Sequence, residues 1–378
     1  MKAPHKHNFR PLLPDPARSP TLPGYFYSDP NIFVAEQHHI FRKQWQLVAH
    51  ETELKQRGSF LCTHIADEHI IIIRGQDDVI RGFYNVCSHR AHELLAGSGC
   101  VKSLIICPYH AWTFNTQGEL HGARYSDHMP DFDKADYGLT SVRVETMMGF
   151  VFANLDPHAP SLESVAGEMF ADMQAQIPWW EELTVASDIS TQSWEGSELN
   201  ANWKVLAENC LECYHCAVAH PAFVDLIDLG SYVCQPHGTW LRSYGKLRKL
   251  KNKAYDVDPS EPAQNAIFWH LWPNCEFNVV PGEASMGAFR FSPTSPHTTR
   301  MTSLMLTRPG EGIKPERLDY RWNILWPEDK ALCESVHRGL QSQGYRQGRF
   351  VIDPTNEGIS EHAVHNFQLR YAEAIGLQ

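Results

Sequence analysis

Two short segments of this chain each place a cysteine beside a histidine: Cys87-Ser88-His89-Arg90 and Cys107-Pro108-Tyr109-His110. Seventeen residues separate His89 from Cys107, and each pair is flanked by β-like runs, so the fold must bring two loop tips together. Two thiolates with two imidazoles suit zinc or iron. In a zinc finger, however, two Cys come first and two His follow. Here each loop supplies one of each, as needed when two Cys hold one iron of a [2Fe–2S] cluster and two His hold the other. Imidazole in place of thiolate leaves such a cluster less negative and raises its potential. Pro108, Tyr109 and Trp112 would cover it and limit its contact with water. Ala91 follows the first loop and is tolerated there unless the position needs a positive φ; His92 reads as a structural or surface residue.

The rest of the 378 residues, 43% of them hydrophobic, can fill one large or two ordinary domains. A formal net charge of −11 argues against a nucleic-acid surface. The polar N-terminus has no signal-peptide core, and the best apolar run, Ile70 to Ile73, has strand length, so no membrane span is expected. The chain reads as soluble and cytoplasmic. Its ten Cys are then expected to be buried hydrophobes, ligands or catalysts rather than disulfides.

Six prolines between Pro4 and Pro23 make an extended arm, and a helix follows over Asn31–Trp45. From Trp45 to about Leu155 the pattern is β-rich, with runs at 59–65, 70–74, 80–85 and 150–154. Beyond Pro157 the expected elements are a helix over 162–173, a strand over 188–196 and a helix over 201–219 ended by Pro221. Strands then follow over 268–272, 276–280, 288–292 and 302–307. Pro327 opens a last amphipathic helix to about Gln341, with Leu332, Val336 and Leu340 on its apolar face.

The 201–219 segment is dense in metal-capable groups: Asn209, Glu212, His215 and His220. On a helix Glu212 and His215 share a face with Asn209, while His220 requires a bend or an end near Ala219. Two His with one distant carboxylate form the facial triad of non-haem iron oxygenases, which leaves positions open for O2. Asp329, on one face with Cys333, Val336 and Leu340 that should point inward, is the preferred third donor. Glu328 competes with it, but its place near a helix N-terminus suits a solvated charge. Cys210, Cys213 and Cys216 read as buried helix residues.

With both clusters of residues in view, the chain resembles the oxygenase (alpha) subunits of Rieske non-haem iron oxygenases over nearly its whole length. The resemblance implies an α+β fold in which an all-β Rieske domain is inserted into a catalytic domain built on an antiparallel, helix-grip-like sheet flanked by helices. Expected bounds are 1–44 for an N-terminal arm and helix of the catalytic domain, 45–155 for the Rieske domain and 156–378 for the rest. It implies Cys87, His89, Cys107 and His110 as cluster ligands, His215, His220 and Asp329 as ligands of a mononuclear Fe(II), Asn209 beside that iron, and Glu212 linking one subunit's cluster to its neighbour's iron in a homotrimer.

The runs Glu212-Cys213-Tyr214-His215-Cys216 and Gly358-Ile359-Ser360-Glu361-His362 are similar to those of carnitine oxygenases, glycine betaine monooxygenases and stachydrine demethylases. His337 departs from this branch, which commonly has Gln. The branch implies a quaternary ammonium or N-methyl substrate, hydroxylated with O2 and with electrons from a separate NAD(P)H-dependent reductase, ending in N-demethylation or C–N cleavage. Tyr214, Trp269, Phe277 and Phe289 are candidate substrate contacts through cation–π attraction, with Trp203, Phe268, Trp272 and Trp322 behind them. Hydroxylation of an aromatic ring or carboxylate is the alternative. A Rieske electron carrier would need only the first site.

Overall fold

The computed structural model describes residues 9–186 and 197–377 and divides into two compact units, Met1–His39 with Asp172–Gln378, and Ile40–Ala171. The expected strand over 188–196 lies outside the described residues. The sequence places the second break near residue 155, whereas the contacts place it inside the Leu162–Gln176 helix. The reason is packing: Phe170 of that helix meets Phe152 of the β unit edge-on at 6.0 Å. Asp172, two residues on, instead accepts hydrogen bonds from Arg242 (2.6 Å) and Trp269 (2.7 Å).

Unit Ile40–Ala171 holds a seven-stranded antiparallel sheet and a separate three-stranded one formed by Leu104–Ile106, Thr113–Asn115 and Leu120–Gly122. The Ile70–Ile73 run is buried on both faces of the Glu68–Arg74 strand. Side chains alternate along a strand, so Ile70 and Ile72 join one core with Val48, Val142 and Val151. Ile71 and Ile73 join a second core with Phe83, Phe114, Trp112, Cys87 and Cys107. That second core is the floor under the two loop tips.

The larger unit is built on an eight-stranded antiparallel sheet that includes Ile227–His237, Trp240–Leu247, Asn265–Leu271, Cys275–Val279, Ser285–Ser295 and Thr298–Thr307. The expected helix over 201–219 is broken: it runs Trp203–Cys210 and resumes only as the single turn Cys216–Ala219. Asn202 caps its start by accepting the Lys204 N–H (3.1 Å). The 31–45 helix also ends early, as Pro30–Glu36 followed by a π turn, Gln37–Phe41.

Toward the C-terminus, Pro315–Asp319, a π segment Tyr320–Leu325 and Trp326–Leu340 follow one another without a break, so Pro327 sits within a longer helical run. In that last helix Cys333 and His337 are buried while Leu332 and Val336 are exposed. The inward face is therefore the 329-333-337 row, one step from the expected apolar one. A further helix, His362–Ala374, was not anticipated, although Val364, Phe367 and Tyr371 have helical spacing.

A buried polar network fastens the Trp203–Cys210 helix. Glu36 is fully buried and accepts from Lys204, from Trp203 Nε1 (2.9 Å) and from Tyr371 (2.7 Å). Burial lowers the Lys204 pKa, with Glu36 opposing the shift. Removing one partner of such a pair leaves an uncompensated buried charge, so Glu36→Ala is expected to destabilise this unit by about 3–5 kcal/mol in denaturant unfolding. Replacing both partners by apolar residues should cost much less.

One turn on, Glu208 accepts from Tyr27 (2.7 Å) and Gln368 (2.9 Å), and burial pushes its carboxyl up to about 7. Its folded pKa lies above its unfolded one, so it stabilises the fold below pH 4.5 and loses that contribution as pH rises through about 7. Glu208→Gln keeps an acceptor oxygen and does not ionise. Its melting temperature relative to wild type is expected to climb between pH 5 and pH 8, and a constant difference would refute the assignment.

Candidate functional site

The two cluster loops share one backbone design. In the first, Cys87 N–H donates to His92 O (2.9 Å) and Ala91 N–H to Cys87 O (2.9 Å); in the second, Cys107 N–H donates to Trp112 O (2.8 Å) and Ala111 N–H to Cys107 O (3.0 Å). Ala91 stands at φ 60° and Ala111 at φ 57°, so both positions do use left-handed backbone, at a cost on the order of 1 kcal/mol each. The thiols of Cys87 and Cys107 face each other in the core, and burial raises the Cys87 pKa. His89 and His110 lie outward, their rings edge-to-face at 4.6 Å, with His89 stacked on Trp112 at 4.7 Å. Buried sulfur on one side and outer nitrogen on the other fit a two-iron body whose irons differ in ligand.

His215, His220 and Asp329 do converge, with all three donor atoms within 4.8 Å of one another. His215 Nε2 lies 3.1 Å from His220 Nε2 and 3.7 Å from Asp329 Oδ1, and His220 Nε2 lies 3.0 Å from Asp329 Oδ1. Asn209 Nδ2 is 3.4 Å from His215 Nε2. The outer nitrogens are held as well. His215 Nδ1 donates to Glu212 (2.6 Å) and His220 Nδ1 to Glu328 (2.8 Å), which fixes both rings with Nε2 toward the centre. Glu328 is thus not a solvated charge, as its position near a helix start suggested; the rod carrying Asp329 turns it onto His220. Burial works against the imidazolium of His215, but Asp329 and Glu212 outweigh it and lift its pKa to about 9. The same contacts hold Asp329 below the usual carboxylate range against the effect of burial. A site that favours positive charge this strongly fits a divalent cation with two neutral imidazoles and one carboxylate.

The broken helix explains how these groups meet. Glu212 accepts the backbone N–H groups of Tyr214 and His215, starting the next turn, and Cys213 is disulfide-bonded to Cys216 with Cα atoms 4.9 Å apart. The expectation that the cysteines here are unbridged helix residues is therefore corrected: the turn after Cys210 brings two of them together.

A cavity of about 180 Å³ opens on the triad. Strand alternation decides which aromatic rings reach it. Phe268, Glu276, Asn278, Phe289 and Phe291 line it, whereas Trp269 and Phe277, paired across the sheet, point to the opposite face, where Trp269 meets Asp172. Tyr214 lies on the turn, half exposed and off the wall. Of the four candidate substrate contacts only Phe289 lines the cavity, joined by Phe268 and Trp322 from the wider set. Trp203 and Trp272 are core, packed on Phe367. Sequence reasoning missed Glu276, Arg317 and Arg321, polar residues on this wall that a strand or helix pattern alone does not set apart.

The model of the ring hydroxylating alpha subunit catalytic domain matches residues 181–377, and that of the Rieske [2Fe-2S] domain matches 44–133. The carnitine monooxygenase oxygenase subunit of Acinetobacter pittii (strain PHEA-2) is 41% identical over 357 residues, covering 92% of this chain and 93% of that protein. The glycine betaine monooxygenase oxygenase subunit of Chromohalobacter salexigens is 28% identical over 378 residues, covering 87% and 81%. Among solved structures, the quaternary ammonium Rieske monooxygenase CntA in complex with L-carnitine superposes with a TM-score of 0.84 at 36% identity, covering 97% of this chain and 99% of that one.

Proposed function

The chain belongs to the Rieske non-haem iron oxygenases as an oxygenase (alpha) subunit, and from that membership we propose that it hydroxylates a small quaternary ammonium compound of the carnitine and betaine kind. The observation that carries the substrate class is the cavity beside His215, His220 and Asp329, which combines aromatic walls with buried charge, together with relatives named for carnitine and glycine betaine. Cys87, His89, Cys107 and His110 would hold the [2Fe–2S] cluster; His215, His220 and Asp329 would hold the iron. When bound, the cluster passes single electrons from a separate NAD(P)H-dependent reductase and the iron activates O2.

The protein's own groups set the conditions for that chemistry. Glu212 and Glu328 keep both histidines aimed inward, and Asn209 stands beside His215 Nε2. Phe268, Phe289 and Phe291 exclude water, and Phe268 and Phe291 offer aromatic surface to an ammonium group. We assign Glu212 a second role, linking a cluster histidine of the neighbouring subunit to His215 in a homotrimer. Hydroxylation at an N-methyl or N–CH2 carbon gives a hemiaminal whose C–N bond then breaks, leaving the electron pair on nitrogen and releasing an amine, an aldehyde and the hydroxyl proton. The described residues include no helix long and apolar enough to cross a membrane, and we place the enzyme in the cytoplasm.

Purified protein with a generic reductase, screened against carnitine, betaines and benzoates for O2 uptake and formaldehyde release, tests this reading. Turnover confined to benzoates would replace it with the aromatic alternative. Two irons per chain and no O2 uptake would leave an electron carrier.

A further inference from the structure

The cavity wall carries three charged side chains besides the triad and Glu212, and they are not equivalent. Arg317 is neutralised: its guanidinium lies 2.8 Å from Glu283 and 3.1 Å from Ser285. Arg321, one turn on, makes no hydrogen bond or ion pair with any of the described residues. Its guanidinium instead lies over the Phe289 ring at 4.5 Å and beside Trp322 at 5.4 Å. Glu276 is buried on the Cys275–Val279 strand, paired across the sheet with Phe289, and burial raises its carboxyl to about 7.

Arg321 owes its position to the π segment. Tyr320, Arg321, Trp322 and Leu325 all line the cavity, which consecutive residues of a regular α-helix, fanned by about 100° each, would not do. Desolvation and the nearby Arg317 pull the Arg321 pKa down to about 10, so the site holds this cation at a cost that an anion would relieve.

We propose that Arg321 is the specificity-determining residue that binds the carboxylate of a zwitterionic substrate, with the quaternary ammonium lying toward Glu276 and the aromatic wall on the iron side. The inference rests on the quaternary ammonium reading above and narrows it. The enzyme takes cations that carry a carboxylate, such as carnitine or γ-butyrobetaine, in preference to cations that carry none, such as choline.

The test compares wild type, Arg321→Gln and Arg321→Lys, each with full metal content, using calorimetric binding and steady-state kinetics with γ-butyrobetaine, its methyl ester and choline. Loss of a charge-assisted hydrogen bond should raise Kd and KM for γ-butyrobetaine about 10- to 100-fold in Arg321→Gln, with kcat changed far less and partial recovery in Arg321→Lys. The ester should lose a similar factor on the wild type and little on Arg321→Gln, a cycle that stands even if a variant is less stable. Equal binding of γ-butyrobetaine by wild type and Arg321→Gln, or equal binding of acid and ester by wild type, overturns the assignment. Wild type that binds none of the three compounds overturns the quaternary ammonium reading itself, and with it this inference.

Discussion

Asp329→Ala is expected to purify with about two irons per chain in place of about three and to show no substrate-dependent O2 uptake. Asp329 Oδ1 is the one carboxylate oxygen that closes the triangle with both Nε2 atoms. Without it two imidazoles remain, and no other carboxylate among the described residues meets both. Glu328→Ala provides the contrast. Its carboxylate touches only the outer nitrogen of His220, so its loss should weaken metal retention by the about 10- to 100-fold typical of such partners. Metal analysis after dialysis separates them: iron lost from the Glu328 variant but kept by the Asp329 variant would reverse the two roles. Absorbance of the [2Fe–2S] cluster should be unchanged in both, since its four donors lie in the other unit.

Glu212→Gln is expected to keep all three irons and yet lose turnover by about two orders of magnitude or more. Glutamine can still accept from His215 Nδ1 through its amide oxygen, so the ring stays aimed. What disappears is the carboxylate charge that now lifts His215 and the proposed link to a neighbouring subunit's cluster. The informative measurement is the reoxidation rate of the chemically reduced cluster in the presence of substrate and O2. It should slow in step with turnover. Normal reoxidation with slow turnover would confine Glu212 to orienting His215, and unchanged turnover would remove it from the electron route altogether.

Much of this site could be read from local chemistry. His215 and His220 stand five residues apart in a segment already dense in donors, and Asp329 opens a helix whose phase sends residue 329 inward with Cys333. The β block was legible from its alternating runs, and the doubly buried Ile70–Ile73 strand from its continuous apolar stretch. Other features were hidden for specific reasons. The helix break after Cys210 depends on Glu212 capping the following turn and on Cys213 meeting Cys216, contacts that compete with a sequence of good helical pattern. The faces of Trp269 and Phe277 depend on strand register, where a shift of one residue exchanges wall for core.

The sequence by itself therefore determined which chemistry is present: two Cys–His loops, two further histidines in a donor-rich segment, and the acidic pair Glu328-Asp329. Those are properties of residue type and near spacing, and they survive any uncertainty in how distant segments pack. Only the tertiary structure decided the partners. It put Glu328 on His220, turned Phe268 and Phe289 but not Trp269 toward the cavity, and laid Arg321 over Phe289, with no ion-pair partner among the described residues, while Arg317 found Glu283. Each of those outcomes turns on contacts between residues far apart in the chain, whose register and phase no local pattern encodes.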